Sequence, residues 1–202
     1  MILLDNESIY LPKFISAQKL LEDKFILEFS NNDKNNKKIR MRRKTIELTI
    51  GDIACFVKPH PDFVFDTIVR GILPKRHNGL DSLTVFVLIT DNKFDFYNIT
   101  EIADKKYKIL DRALKNVIVR RVFTIHLLAH FLIIDLEKDI TKKYKSKLVV
   151  ITGDFFLSDS QITKQDKDWL YPQMIGAIKE KVKDSIILVF SPTKVSDLVY
   201  YG

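Results

Sequence analysis

The chain has 202 residues, of which 33 are Lys or Arg and 26 Asp or Glu, for a formal charge of +7. Its single cysteine, Cys55, excludes a disulfide framework and any zinc site built from several thiolates, and no apolar run approaches the ~18 residues that span a bilayer. With 46% hydrophobic and 29% charged residues it reads as one folded domain, able to bury roughly 70% of its unfolded surface.

The N-terminal MILLDNESIY meets Asp5 and Glu7 too early for a signal-peptide apolar core, so a cytoplasmic chain is expected. SIYL (8–11) reads as a short strand and FISAQKLLED (14–23) as an amphipathic helix. KFILEFS (24–30) predicts a strand, NNDKNN (31–36) a polar turn, and KKIRMRRKTIELT (37–49) a returning strand, together a hairpin.

From Gly51 the pattern alternates short apolar runs with helical spacing. IACFV (53–57), LTVFVLI (83–89), NVIVRRV (116–122), KLVVI (147–151) and SIILVF (185–190) read as buried strands. DFVFDTIVRGI (62–72), FYNITEIADKKY (96–107), the long run 123–144 and 166–184 read as helices, the last with Pro172 in its first turns. Apolar strands separated by helices predict an α/β domain with a mainly parallel sheet covered on both faces, and ligands at the carboxyl ends of its strands. Residues 1–50 would be an N-terminal extension carrying the hairpin and 51–202 the core of one compact domain.

Three stretches resemble the RecA/RadA recombinase superfamily, archaeal RadA and its paralogues in particular. VFVLITDNKFDFYNITEIADKKY is similar to the strand, acidic turn and helix that carry the family's "IDTEGTF". NVIVRRVFTIHLLAHFL resembles the next strand and helix, with His126 kept from an Asp-His-Gln-like tripeptide, and KLVVITGDFFLSD resembles the Walker B strand and its extension. The resemblance implies a RecA-like core, trimmed after its central sheet and preceded by a β-hairpin extension.

It also locates where nucleotide chemistry would sit, and those positions hold the wrong residues. The family's G-x-x-x-x-G-K-[ST] turn falls on Lys58-Pro59-His60-Pro61, which has no glycine. Two prolines remove two N–H donors, and Asp62, read as the helix N-cap, holds negative charge where phosphate would lie. Asp91 or Asn92 stands for the water-activating Glu, Thr152 or Asp154 for the Walker B carboxylate, and Ser191-Pro192 for the terminal polar pair. The resemblance therefore implies a pseudo-ATPase with no catalytic or nucleotide-binding residue, no metal and no cofactor.

Other residues carry alternatives. Seven cations lie between positions 34 and 44, and Lys37, Lys38, Arg40, Arg42, Arg43 and Lys44 are the DNA-binding candidates; either the hairpin lies on a nucleic-acid backbone, or it is a solvated edge protected from aggregation. Phe14 and Ala17 match the Phe-x-x-Ala pattern by which recombinases of this family dock onto a neighbour, the alternative being the buried face of a helix. His126 and His130 have metal-ligand spacing but apolar neighbours and read as packed or edge histidines. Asp91, Asp154 and Asp159 are strand-end carboxylates that a metal-dependent phosphodiesterase or nuclease could use.

The resulting expectation is a non-catalytic paralogue that assists homologous recombination or DNA repair. Its partner would be a recombinase or RadA-like paralogue in a hetero-oligomer, with DNA touched through backbone contacts and no membrane. The alternatives are the aspartate nuclease and a purely structural subunit without DNA contact.

Overall fold

The computed structural model describes residues 2–5, 8–10, 24–31, 42–90, 94–153 and 163–192. β-Branched and aromatic runs without alternation build the middle of a seven-stranded sheet. In chain order the strands are β1 (Ile2–Asp5), β2 (Ser8–Tyr10), β5 (Ile53–Val57), β6 (Val85–Ile89), β7 (Val117–Arg121), β8 (Leu148–Thr152) and β9 (Ile186–Ser191), and in space they run β2-β1-β5-β9-β8-β6-β7. Every pairing is parallel except β1 with β2. β3 (Lys24–Asn31) and β4 (Arg42–Thr49) form a separate antiparallel pair. The fold is thus α/β, a RecA-like layout of a mainly parallel sheet flanked by helices with an N-terminal β-hairpin extension.

Alternate residues of each strand feed two cores. Val85, Val87 and Ile89 face α1 (Pro61–Ile72), α2 (Phe96–Lys105) and α3 (Leu110–Asn116), while Phe86 and Leu88 face α4 (Ile125–His130) and α5 (Lys164–Lys181). Such double coverage is what all-parallel strands require. The chain continues helically beyond α4 through Phe131–Lys143 with wider, π-type turns. Among the described residues no helix is long and apolar enough to cross a membrane.

The hairpin obeys the period of two. Phe25, Leu27, Ile46 and Leu48 are buried against the α1 side, and Lys24, Ile26, Glu28, Thr45 and Glu47 are exposed. Lys24 and Glu47 form an ion pair across the exposed face. Arg70 of α1 binds the hairpin to the domain, as its Nη2 donates to Ile26 O at 2.6 Å and to Asn78 O at 2.8 Å.

Buried hydroxyls join the amino ends of the strands. Ser146 Oγ donates to Thr84 O at 3.0 Å, Ser185 Oγ to Ser146 O at 2.8 Å, and Ser82 Oγ accepts from Lys147 N at 2.8 Å. The turn from Leu73 to Ser82 closes this end of the sheet and requires glycine at position 79. A Cβ there would lie 2.0 Å from Leu73 O.

Several boundaries differ from expectation. β1 is a strand of the main sheet, set beside β5 in the register Leu3↔Cys55, so residues 2–5 belong to the same sheet as the core strands. α3 adds a helix before β7 where none is predicted. α5 begins at Lys164, which puts Pro172 inside the helix and not in its first turns. α1 begins at Pro61 and its N-cap is His60; Asp62 lies in the first turn. Proline at the first helical position explains the shift, because it needs no N–H partner and its φ is already helical. The expected helix 14–23 and the segment 193–202 lie outside the described residues.

A candidate binding cleft at the strand ends

At the carboxyl ends of the parallel strands, β9 separates β5 from β8, and the turns leaving all three converge. They enclose a cleft of about 320 Å³ bounded by Lys58, Pro59 and Pro61 after β5, Thr152 and Gly153 after β8, and Ser191 and Pro192 after β9. These are the positions that the resemblance assigns to the phosphate loop, the Walker B strand end and the terminal polar pair, and the fold brings them together. Parallel α/β sheets place ligands in such a crevice.

Its floor is aromatic. Phe65, Phe94 and Phe190 line it together with Val64. Phe65 and Phe94 meet edge to face at 5.2 Å, and Phe190 packs on Phe56 at 5.2 Å and on Phe63 at 5.9 Å. The Val64-Phe65 pair shortly after the Pro-His-Pro turn is the sequence signal for this lining, but position 94 joins it only through the fold.

Five backbone donors around the cleft are committed within the protein. Lys58 sits in the left-handed region at φ 51°, and its N–H donates to Ser191 O at 2.7 Å. Gly153, at φ 103°, donates to Phe190 O at 3.0 Å. In the first turn of α1, Pro61 has no N–H, Asp62 N donates to His60 Nδ1 at 3.3 Å, and Phe63 N and Val64 N donate to His60 O at 3.0 and 3.3 Å. An anion nest needs convergent free N–H groups, and this arrangement directs those donors into protein acceptors. The cleft can therefore hold an apolar or aromatic group, with the exposed Lys58 as the cation on its rim.

Cys55 lies on β5 behind the cleft, fully buried, and burial pushes its thiol up to about 12. A thiol that stays neutral is a packing group and not a nucleophile. His126 and His130 are both exposed on α4, and His130 Nδ1 lies 3.6 Å from Asp135 Oδ2, which also pairs with Arg120 Nη1 at 3.2 Å. Among the described residues no group of three His, Cys, Asp or Glu side chains could hold a metal.

Of the DNA-binding candidates, Arg42, Arg43 and Lys44 fall on β4 in register with Asn31, Ser30 and Phe29. Lys37, Lys38 and Arg40 lie outside the described residues, as do Phe14 and Ala17 and the carboxylates Asp91, Asp154 and Asp159. The hairpin stands on the α1 side of the sheet, whose buried cluster it shares. No protein-family model matches the chain, and no curated protein matches it.

Proposed function

We propose that this chain is a non-catalytic RecA/RadA-like paralogue that serves recombination or DNA repair as a binding module. In this reading it acts in the cytoplasm near the nucleoid, pairs with a recombinase or paralogue, and contacts DNA through the basic residues around Arg42, Arg43 and Lys44. The observation that carries it is the strand-end cleft. Its three turns occupy the nucleotide-handling positions of the resemblance, yet they are faced with proline and phenylalanine, and the N–H groups of Lys58, Asp62, Phe63, Val64 and Gly153 are bonded within the protein. A polyphosphate entering there would lose hydration without gaining donors.

Calorimetric titration with ATP and magnesium tests the loss of catalysis. Binding weaker than about 1 mM and no turnover are expected, and micromolar binding with hydrolysis by the isolated chain would overturn the reading. Retention on DNA at rising salt tests the partner. Charge reversal at Arg40, Arg42 and Arg43 should abolish a retention that falls steeply with salt, because backbone contacts act through counterion release. Unchanged retention would leave a structural subunit without DNA contact.

A further inference from the structure

The strand-end cleft is poor in donors for a polyphosphate, but its lining suits a smaller ligand. At about 320 Å³ it stands at the lower end of ligand pockets, with room for a molecule of one or two rings. The side chains of its floor, Val64, Phe65, Phe94 and Phe190, offer apolar faces and edges and no hydrogen bond. Such a floor takes a planar ring, offset or edge to face, as Phe65 already meets Phe94 at 5.2 Å. It has no partner for the donors and acceptors along the edge of a nucleobase.

Two polar side chains border this floor. Thr152 ends β8 with the parity of Leu148 and Val150, so its side chain points to the α1 side, where the floor lies. The residue is 9% exposed. Its carbonyl accepts from Thr90 N at 2.9 Å and Thr90 Oγ1 at 3.2 Å, while its own hydroxyl bonds to no described residue. A buried hydroxyl without a partner is destabilising, and a bound acceptor would relieve it. Lys58 supplies charge. Its N–H is fixed on Ser191 O at 2.7 Å with φ at 51°, which sets the direction in which the side chain leaves the turn, and its ammonium makes no ion pair with a described residue. Asp62, the nearest carboxylate in sequence, is outside the lining and lies 3.5 Å from His60 Nδ1.

We infer that the cleft binds a small planar aromatic monocarboxylate, its ring on the phenylalanine floor and its carboxylate held by Lys58 and the Thr152 hydroxyl. One cation and one hydroxyl donor match a single carboxylate, which is an acceptor at both oxygens when ionised. A polyphosphate brings more charge than one exposed lysine offsets, and the five amides around the cleft are bonded elsewhere. A neutral ring would leave Lys58 without a counter-charge. The inference rests on the reading of this cleft as closed to nucleotide and not on the recombinase partner.

Titration of the full chain with benzoate, indoleacetate and naphthoate, followed by amide chemical shifts, tests it. Naphthoate should saturate with a dissociation constant of about 0.1–1 mM and move the amides of Val64, Phe65, Gly153 and Phe190. Naphthylmethanol, its neutral analogue, and cyclohexanecarboxylate, which has no aromatic ring, should each bind roughly tenfold more weakly. Lys58→Gln changes an exposed side chain and should weaken naphthoate about tenfold while leaving naphthylmethanol unchanged. Thr152→Val removes the hydroxyl and keeps the branched shape, so the fold should persist while naphthoate binds about fivefold more weakly. No saturable shift from any of the three acids up to about 10 mM overturns the inference, and so do shifts away from the cleft or a naphthoate affinity that Lys58→Gln leaves unchanged. The ATP titration fails separately: binding with turnover overturns the proposed function, whereas a cleft that takes neither ATP nor any of the acids overturns this inference alone.

Discussion

Replacing Arg70 with alanine should loosen the β3–β4 hairpin while leaving the central sheet in place. Arg70 Nη2 donates both of its protons to carbonyls of separate elements, Ile26 O in β3 and Asn78 O in the turn after α1. The guanidinium also stands 5.7 Å from the centroid of the Phe25 ring. A hydrogen bond from a charged donor is worth up to about 3 kcal/mol when buried; these are open to solvent, so about 1 kcal/mol each, with ~0.5 kcal/mol for the ring contact, gives a loss near 2–3 kcal/mol. At 1.4 kcal/mol per factor of ten, amide exchange at Phe25, Leu27, Ile46 and Leu48 should accelerate roughly 30- to 100-fold. Exchange in β5, β8 and β9 should stay as in wild type. Arg70→Lys should recover only part of the protection, because a single ammonium lacks the planar fork. Wild-type exchange in the hairpin of Arg70→Ala, or an equal loss of protection in the central strands, would refute Arg70 as a local tether.

Gly79→Ala should cost more than about 3 kcal/mol in urea unfolding or prevent folding, because its Cβ would meet Leu73 O, a backbone atom already held by Asp81 N. Gly176→Ala in α5, where a Cβ meets nothing within 4 Å, should instead add about 1 kcal/mol of helix stability. Phe190→Ala removes a ring that is 3% exposed and packed on Phe56 and Phe63, and a loss of about 3–5 kcal/mol is expected in the same assay. Cys55 should resist thiol reagents at pH 8 until the chain unfolds. Its folded pKa near 12 exceeds the ordinary value of 9.0, so its contribution to stability is full below pH 9 and is lost as pH rises toward 12; the stability difference between wild type and Cys55→Ala should narrow over that window.

The strands of the parallel sheet are legible because each is a continuous apolar run. IACFV coincides with β5, and Val85–Ile89 is buried at every position. What local pattern could not carry is partnership across the chain. MILLD has strand composition, but only the register of Leu3 with Cys55 makes it part of the sheet. α3 is seven residues long and buries only Ala113, too short a stretch for its period to be read. The positions around the cleft were legible as strand ends, since parallel topology gathers those turns. Its aromatic floor was not, because Phe65, Phe94 and Phe190 are far apart in sequence.

The hydrogen bonding around the cleft also says how many changes separate it from a phosphate site. Replacing Pro59 and Pro61 with glycine would restore two N–H groups and conformational freedom to the turn, the simplest repair that the sequence suggests. Micromolar affinity requires about 8 kcal/mol of net binding energy, and two added amides on a solvent-exposed turn supply a small part of it, less roughly 1 kcal/mol of lost order for each glycine. The N–H groups of Lys58, Gly153, Asp62, Phe63 and Val64 would stay directed at protein acceptors, and the floor would still be Phe65, Phe94 and Phe190. The double variant should therefore bind ATP no better than wild type by calorimetry, and should unfold at lower urea. Micromolar ATP binding by that variant would mean that the prolines alone block the site and that the bonded amides are free to turn. Absence of binding would place the barrier in the whole strand-end network, where no single substitution can remove it.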